Sequence, residues 1–310
     1  MVRPFLLTFL SAAVLFGMTA CDSTGPEPFQ REILVESYQQ AGKPLNPVRL
    51  SRTVPLDSSY RPDDLAVRGA SVTVERLADD GSVAERYPFA PVPDSAGLYR
   101  PDPAAADTPR VRPLHTYRLV AEIPDGPTVR ATTTVPDTFR IVSINRDTAR
   151  YQADDQIEIT VTPTQVPGRD QSFYIFSTES LEPTEENLTP LVKEFFEDDD
   201  ELTLEDLRIT SSPVLNEASY DTNADGTISI RLPWIAVAFY GPNRARAQAL
   251  DDNLYDFQRS QSAQGGGGGF SPGTIPNIIE NVENGTGVFG SYAATDTTVF
   301  IERIGGGLGP

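Results

Sequence analysis

Cysteine, histidine and tryptophan, which often carry chemistry in proteins, are nearly absent from this chain. Its 310 residues include one cysteine (Cys21), one histidine (His115) and one tryptophan (Trp234). A lone cysteine cannot form a disulfide within the chain, and zinc sites of the Cys/His type need about four such ligands. A lone histidine excludes haem ligation by paired histidines, and no nucleophile-elbow motif accompanies it. The sequence therefore predicts no cofactor and no cysteine enzyme; composition still permits a Ser-His-Asp triad on His115, but no motif indicates one.

Two of these single residues have structural interpretations. His115 opens a predicted strand, where an exposed polar residue at an edge is a simpler interpretation than a catalytic base. Trp234 lies in RLPWIAVAF. A tryptophan can stack on a sugar, but this apolar setting favours packing in the core.

Positive charge is also scarce, and nearly all of it lies on arginine. Lys43 and Lys193 are the two lysines, and 25 basic residues face 44 acidic ones, for a net charge of −19. Such a surface repels nucleic acid and anionic lipid headgroups, which argues against binding of DNA or RNA. Carboxylates are so frequent that no single pair indicates a hydrolase. The acidic run at 197–201 is interpreted as a solvated loop.

One long apolar run is present, at the N-terminus. It spans residues 5–16, follows Arg3, and leads into Gly-Met-Thr-Ala before Cys21. The run is too short to span a bilayer comfortably and ends in small residues, as a cleaved export signal does. With Cys21 in this place, the segment resembles the lipobox of bacterial lipoproteins, although Met18 replaces the usual leucine.

This resemblance implies a lipid-anchored protein of the cell envelope, in the outer membrane. We expect residues 1–20 to be a signal peptide, Cys21 to be lipidated, and residues 21–30 to form a tether. The membrane would then be a partner through the N-terminal lipid, because two or more acyl chains anchor a protein stably. An ordinary signal peptide with an incidental cysteine is the alternative.

The pattern up to residue 138 predicts a mainly β fold. GASVTVERL places Val72 and Val74 on one face, and TYRLVAEI turns alternate apolar residues inward. ADDGS and PDGP between such runs are typical of hairpin turns. We predict an immunoglobulin-like or transthyretin-like β-sandwich over residues 31–138.

A second β-rich domain with helical insertions is predicted over residues 139–304, before a flexible tail at 305–310. QIEITVTP alternates apolar and polar residues, and Thr189 and Thr203 stand where helix N-caps are expected. RARAQALDDNLYDFQRSQ is interpreted as one amphipathic helix, with Ala247, Leu250, Leu254 and Phe257 on one side. Gly265 to Gly269 predict a flexible loop, and the end of the chain predicts two closing strands.

The segment SYDTNADGTISIRL has the spacing of a calcium loop. Asp221, Asn223 and Asp225 alternate and Gly226 follows, but Leu232 occupies the twelfth place, where an EF-hand has a bidentate acid. NADG is also a sound hairpin turn between two strands. The turn is the preferred interpretation, and these three residues remain the candidate metal ligands.

The last third of the chain combines a tyrosine-bearing helix, NLYDFQRSQ, with the glycine-rich segment NIIENVENGTGVFG. The matching positions of this pattern are Asn281, Val282, Gly285, Gly287, Phe289 and Gly290. The pattern resembles a family of Bacteroidota envelope lipoproteins known only as domain of unknown function 4249. The N-terminal LVES, GASVTVE, GLYRP and TYRLVAEI follow the same family's strand pattern. The resemblance implies that these glycines shape tight turns and close strand contacts rather than a catalytic site.

Genes of this family often lie beside those of TonB-dependent outer-membrane receptors. The resemblance therefore implies a non-enzymatic accessory protein that binds the ligand of such a receptor or caps its mouth. Two alternatives stay open, namely a structural or adhesive surface module and a hydrolase that uses two carboxylates.

Overall fold

The computed structural model describes residues 29–55, 58, 61–103, 109–154, 156–198, 202–216, 220–264 and 278–303. The expected signal peptide, Cys21, most of the tether, residues 199–201 of the acidic run, the polyglycine segment and the tail lie outside this part of the chain. Two compact units are distinguished, Met1–Arg31 with Val54–Ser58 and Glu32–Thr53 with Ser59–Pro310. In the first, the Ser58 amide donates to the carbonyl oxygen of Pro55 at 3.0 Å. The sheets belong to the second.

Strands dominate the described residues, as the sequence predicts. Those before residue 138 are β1 (Ile33–Gln40), β2 (Val48–Arg52), β3 (Ser71–Leu77), β4 (Val83–Pro91), β5 (Leu98–Pro101), β6 (Thr116–Glu122) and β7 (Thr128–Thr134). Those after it are β8 (Ile141–Ile144), β9 (Thr148–Arg150), β10 (Glu158–Val161), β11 (Tyr174–Ser180), β12 (Ile209–Ser211), β13 (Asp221–Thr222), β14 (Ile228–Arg231), β15 (Gly241–Leu250), β16 (Val282–Glu283) and β17 (Thr286–Glu302).

The helices are few and short. They are α1 (Pro62–Leu65), α2 (Pro190–Asp198), α3 (Leu204–Leu207) and α4 (Asp252–Gln264), with 3₁₀ turns at Glu185–Asn187 and Trp234–Ala236. Thr203 caps α3 as predicted, because its side chain accepts from the Asp206 amide while the Asp206 carboxylate accepts from the Thr203 amide. The helix at Pro190 is also confirmed, although the buried hydroxyl of Thr189 donates to the Val237 carbonyl oxygen. Within the described ranges, no helix is both long and apolar enough to cross a bilayer.

The strands form one large mixed sheet and one small antiparallel sheet. The order in the large sheet is β12-β11-β15-β17-β1-β2-β5-β4-β3-β6-β7-β16, with β9 beside β17. The order in the small sheet is β13-β14-β10-β8. The predicted mainly β architecture with a few helices is therefore confirmed.

Alternating burial follows the predicted strand patterns closely. Val72 and Val74 of β3 are buried, and Tyr117, Leu119 and Ala121 of β6 are completely so. The predicted turns at 78–82 and 124–127 connect β3 to β4 and β6 to β7. Period-two burial against a facing layer is thus sufficient to define these strands.

The segment predicted as one amphipathic helix is half strand, so that prediction was wrong for its first part. Residues 244–250 belong to β15, and α4 begins only at Asp252. Ala245, Ala247 and Ala249 are all buried between β11 and β17, which pair with the two edges of β15. Pairing on both edges overrides the high helix propensity of alanine.

The end of the chain forms one 17-residue strand, β17, where two strands were predicted. Its first part, from Thr286 to Tyr292, pairs in parallel with β1. From Tyr292 onward, β17 pairs antiparallel with β15. Residues 282–292, which the sequence pattern assigns to the second domain, complete the sheet of the N-terminal half by pairing with β7 and β1.

The main hydrophobic core connects strands from both sides of residue 138. It contains Val35 and Leu119 together with Ile157, Phe176 and Phe289, all completely buried. Strand β17 contributes to this core because it pairs with β1 in one half of the large sheet and with β15 in the other.

Candidate functional site

The residues of the C-terminal pattern form the junction where β17 meets β1. The Asn281 amide nitrogen donates to the carbonyl oxygen of Phe289 at 2.8 Å, and its oxygen accepts from the Phe289 amide at 3.0 Å. The same nitrogen donates to the Thr132 carbonyl oxygen at 3.0 Å. Asn281 therefore connects β17 to β7 at a position where β17 does not pair with β15 and β7 does not pair with β16.

The glycines of the pattern allow close backbone and side-chain contact. Gly287 has a φ of +99°, and a Cβ there would collide with the carbonyl oxygen of Val35 on the neighbouring strand. A Cβ on Gly290 would lie 2.5 Å from the Leu254 side chain. These glycines are structural, because each one admits a neighbour that a larger residue would displace.

Helix α4 packs onto the outer face of the sheet through Leu254. Its first turn is capped by Asp251, whose Oδ1 accepts from the Leu254 amide at 2.9 Å. Phe173 stacks on Tyr255 with ring centroids 3.7 Å apart, and the Arg169 guanidinium lies over Phe173. The helix thus forms a fixed wall on one side of the sheet.

Asp251 is the centre of a buried polar cluster. Its Oδ2 accepts from the Thr133 hydroxyl at 2.5 Å and from the Ser291 hydroxyl at 3.4 Å, and Asp251 is only 2% exposed. Burial raises the pKa of Asp251 to about 6, although hydrogen bonds from Thr133 and backbone amides oppose this shift. Since Ser291 and Thr133 are equally inaccessible, no substrate can reach them, and the cluster holds three chain segments together.

A groove runs beside α4, on the same outer face, and we call it the tyrosine groove. Its first part is a cavity of about 310 Å³, and its second is a cavity of about 350 Å³; Tyr38 and Tyr292 line both. Tyr38 pairs with Gly290 in the β1–β17 ladder, and Tyr292 lies where β17 changes partner from β1 to β15. The other contributors to the first part include Ile175, Gln248, Leu254 and Gln258.

The groove combines polar and apolar side chains and is largely uncharged. The residues that line its first part, all within the described chain, include no acid and no base, and Glu36 and Arg49 lie at the second part. Burial raises the pKa of Tyr38, and Glu36 raises it further; burial also raises the pKa of Tyr292. Both phenols are therefore neutral at physiological pH and can donate hydrogen bonds.

The groove offers aromatic faces beside amide and hydroxyl groups. The Tyr292 hydroxyl donates to Gln40 Oε1 at 3.3 Å, and the Gln248 amide donates to the Ser177 hydroxyl at 3.1 Å. Tyr38 is 40% exposed, so its ring is accessible. Aromatic surface with a few polar groups is typical of a site for an uncharged organic ligand.

The candidate calcium loop is a hairpin turn between β13 and β14. The Gly226 amide donates to the Asn223 carbonyl oxygen at 2.9 Å, and Gly226 has a φ of +81°. Asp225 Oδ1 accepts from both the amide and the hydroxyl of Thr227, and Asp221 lies 3.3 Å from Arg231. The described residues contain no group of three acids, histidines or cysteines placed to hold a metal ion.

The other residues weighed from the sequence lie apart from the groove. His115 is half-buried, and its Nδ1 is 2.8 Å from the Pro113 carbonyl oxygen. Trp234 is half-buried against the main core, with its ring edge-on to Tyr151 at 5.5 Å. Cys21 lies outside the described residues.

The sequence did not single out Tyr38 or Tyr292. In the sequence, both tyrosines stand at outward positions of alternating strands. Tyr38 in LVESY shares that property with many exposed residues, so the pattern does not mark it as part of a site. Their proximity depends on the parallel pairing of two strands about 250 positions apart, which no local pattern encodes.

The chain belongs to the family described as "Domain of unknown function (DUF4249)", whose model matches residues 22–298. No curated protein matches it. Membership of this family does not test the envelope location or the genomic context that the sequence pattern implies.

Several solved structures show a distant likeness. A tetra-tandem repeat from the extending region of a large adhesion protein is 11% identical, with a TM-score of 0.22 over 87% of this chain and 49% of that one. Salmonella alpha-2-macroglobulin reacted with methylamine is 10% identical, with 0.23 over 88% and 15%. Three N-terminal domains of the bacteriophage RB49 outer capsid protein Hoc are 9% identical, with 0.20 over 89% and 71%.

This chain thus spans about half, or less, of the first two structures. All three TM-scores lie below 0.5, and these likenesses carry no conclusion about the chain.

Proposed function

We propose that this family member is a non-enzymatic, lipid-anchored protein of the outer envelope that binds an uncharged ligand in the tyrosine groove. The observation that supports the proposal is that Tyr38 and Tyr292 both line two adjoining cavities. Their rings and the neighbouring amides can contact an elongated ligand along both parts of the groove.

Binding is favoured over catalysis by the chemistry of the lining. General acid–base catalysis needs a group whose pKa lies near the working pH and whose atoms reach the substrate. The pKa values of Tyr38 and Tyr292 are raised, which makes their phenols poorer bases at neutral pH. Asp251 has a pKa of about 6, but it is closed off from the groove by its burial.

Lipidation of Cys21 would hold the groove near the membrane, where a receptor can receive the ligand. We propose a TonB-dependent receptor as the partner, with this protein either delivering the ligand or capping the receptor. The rigid attachment of α4 supports a preformed site, because a preformed site does not have to order its walls on binding.

Ligand binding can be tested by native mass spectrometry of the mature protein after incubation with an extract of its own cell envelope. We expect a bound species of defined mass that Tyr38→Ala abolishes. Phe195→Ala serves as the matched control, because Phe195 is an exposed aromatic residue on α2, remote in sequence from the groove. Absence of any bound species, or equal loss in both variants, would contradict a binding function and favour the structural or adhesive module.

The partner can be tested by recovering the full-length lipoprotein from membranes in mild detergent at native expression. We expect a TonB-dependent receptor among the copurifying proteins, and the Cys21→Ser protein should recover less of it. Failure to recover any receptor would refute the partnership while leaving ligand binding to the previous experiment.

A further inference from the structure

Another cavity, which we call the arginine pocket, has a charge opposite to that of the whole chain. It has a volume of about 400 Å³ at the edge of β4 and is lined by Arg86, Arg110 and Arg112, with Glu85 and Asp102 as the acids. The chain as a whole carries a net charge of −19. Three guanidiniums at one cavity are therefore a local departure that calls for an explanation.

The acids near the pocket do not neutralise these arginines one for one. Glu85 Oε1 lies 2.6 Å from Arg76 and 3.3 Å from Arg112, so one carboxylate serves two guanidiniums. Hydrogen bonds from Arg76 and then from Tyr87 lower the pKa of Glu85 to about 2. Glu85 therefore stays ionised and fixes the position of Arg112 without cancelling the positive charge of the pair.

The second carboxylate is shared in the same way. Glu75 Oε1 lies 2.9 Å from Arg86, and its Oε2 lies 2.6 Å from Arg118. Arg110 donates one hydrogen bond, at 2.9 Å, to the carbonyl oxygen of Gly42. Among the described residues that line the pocket, Arg86, Arg110 and Arg112 stand beside two acids, Glu85 and Asp102, which leaves an excess of positive charge there.

The guanidinium groups of Arg86 and Arg112 expose N–H donors to solvent. A guanidinium has five N–H donors, and the side chains of Arg86 and Arg112 are 69% and 54% exposed. Their forked geometry matches the two oxygens of a carboxylate or phosphate group. The remaining walls are apolar and stiff, since they consist of Tyr87, Pro88, Pro101 and Pro109.

We propose that the arginine pocket binds a small organic anion, with its carboxylate or phosphate on Arg110 and Arg112 and its apolar part against Tyr87 and the prolines. The size of the pocket favours an organic molecule over a bare ion, because cavities of about 300–1,000 Å³ accommodate whole ligands. This site is separate from the tyrosine groove and goes beyond the uncharged ligand proposed there.

The test uses four probes and the purified mature protein. Phenyl phosphate and benzoate carry the two candidate oxyanions on an apolar ring, phenol lacks the charge, and inorganic phosphate lacks the ring. By isothermal titration we expect both aromatic anions to bind with a Kd of about 1 mM or tighter. Phenol should show no saturable binding, and inorganic phosphate should bind at least about tenfold more weakly than phenyl phosphate.

The decisive variant is Arg112→Gln, which retains hydrogen-bond donors but removes the charge. Arg140→Gln is the matched control, because Arg140 is exposed, lies outside the pocket lining and changes the net charge equally. We expect Arg112→Gln to weaken binding of phenyl phosphate about tenfold or more, as for loss of a charged hydrogen bond. Arg140→Gln should leave the Kd within about twofold.

Arg110→Gln provides a second test of anion binding in the pocket if Arg112→Gln fails to fold. Among the described residues, the Arg110 side chain makes one exposed hydrogen bond, to the Gly42 carbonyl oxygen, so this variant should keep the melting temperature of the parent. Three results would overturn the proposal: no saturable binding of either aromatic anion, equal weakening by Arg140→Gln, or equal affinity for inorganic phosphate and phenyl phosphate. The last of these would mean an adventitious ion only.

Discussion

The side chain of Asn281 pairs with both backbone groups of Phe289, accepting from its amide at 3.0 Å and donating to its carbonyl oxygen at 2.8 Å. At this position β17 has β1 on one edge, while β15 pairs only from Tyr292 onward. Asn281 thus supplies, from one side chain, the hydrogen bonds that a neighbouring strand would make. Phe289 is completely buried, so its amide depends on that partner, whereas its carbonyl oxygen also accepts from the Asn253 side chain at 3.2 Å.

Replacing Asn281 by alanine should therefore destabilise the protein. The change leaves the buried amide of Phe289 without a partner, while its carbonyl oxygen keeps the hydrogen bond from the Asn253 side chain at 3.2 Å. One such unpaired group costs about 1–3 kcal/mol, and we expect the free energy of unfolding, measured by urea denaturation, to fall by that amount. Asn223→Ala, in the exposed hairpin, should change it by less than about 0.5 kcal/mol. A similar loss in both variants would mean that the Asn281 contacts carry no special weight.

Gly290→Ala should be costly for a steric reason. The new Cβ would lie 2.5 Å from the Leu254 side chain, and overpacking of this kind costs about 1–3 kcal/mol. The double variant with Leu254→Ala tests the cause, because alanine at 254 removes the atoms that clash. In a double-mutant cycle we expect a favourable coupling of about 1 kcal/mol or more between the two substitutions. Strict additivity would show that the cost arises elsewhere.

The stability of the protein should depend on the protonation of Asp251. Burial raises the pKa of Asp251 from 3.8 to about 6 in the folded state, so folding favours the protonated form. This contribution is fully present below about pH 3.8 and is lost as the pH rises through about 6. The difference of about two pKa units corresponds to a free energy on the order of 3 kcal/mol.

Asp251→Asn removes the titration while keeping an acceptor for the Leu254 amide. Relative to the parent, the variant should gain stability between pH 4 and pH 7, by an amount on the order of 3 kcal/mol. Urea denaturation at several pH values measures this difference. Parallel stability curves for the two proteins across that range would contradict a raised pKa for Asp251.

The hairpin at Asp221 should respond neither to calcium nor to chelator. Its carboxylates are engaged by Thr227 and Arg231, and Asp221→Ala should change stability within about 0.5 kcal/mol. We expect the melting temperature to be equal in excess calcium and in EDTA. An upward shift with calcium that Asp225→Ala abolishes would establish a metal site, since a ligand bound only to the folded state adds stability by mass action.

Cys21→Ser should prevent lipid attachment, because serine has no thiol to acylate. We expect the variant to be released from membranes or to retain its signal peptide, as judged by fractionation and by metabolic labelling with a fatty acid. Unchanged lipid labelling would refute the resemblance of the N-terminus to a lipobox.

Local patterns in the sequence were sufficient where burial alternates on a single strand. Tyr117, Leu119 and Ala121 were assigned to the core from period two alone, and the hairpin at Gly226 from the turn chemistry of Asp-Gly. The same reasoning failed at Ala247, because alanine favours a helix unless two neighbouring strands bury it. The pairing of both edges of β15, with β11 and with β17, places Ala247 in a strand and not in a helix.

The sequence by itself determined the mainly β character of the chain, its acidic surface, and the glycine and asparagine positions of the C-terminal pattern. Tertiary structure alone decided that β17 runs from one half of the sheet into the other, which brings Tyr38 and Tyr292 together. It also placed Arg110 and Arg112 at one cavity. The physical reason is that strand pairing over long separations depends on complementary edges and shared core volume, which single residues in sequence order do not specify.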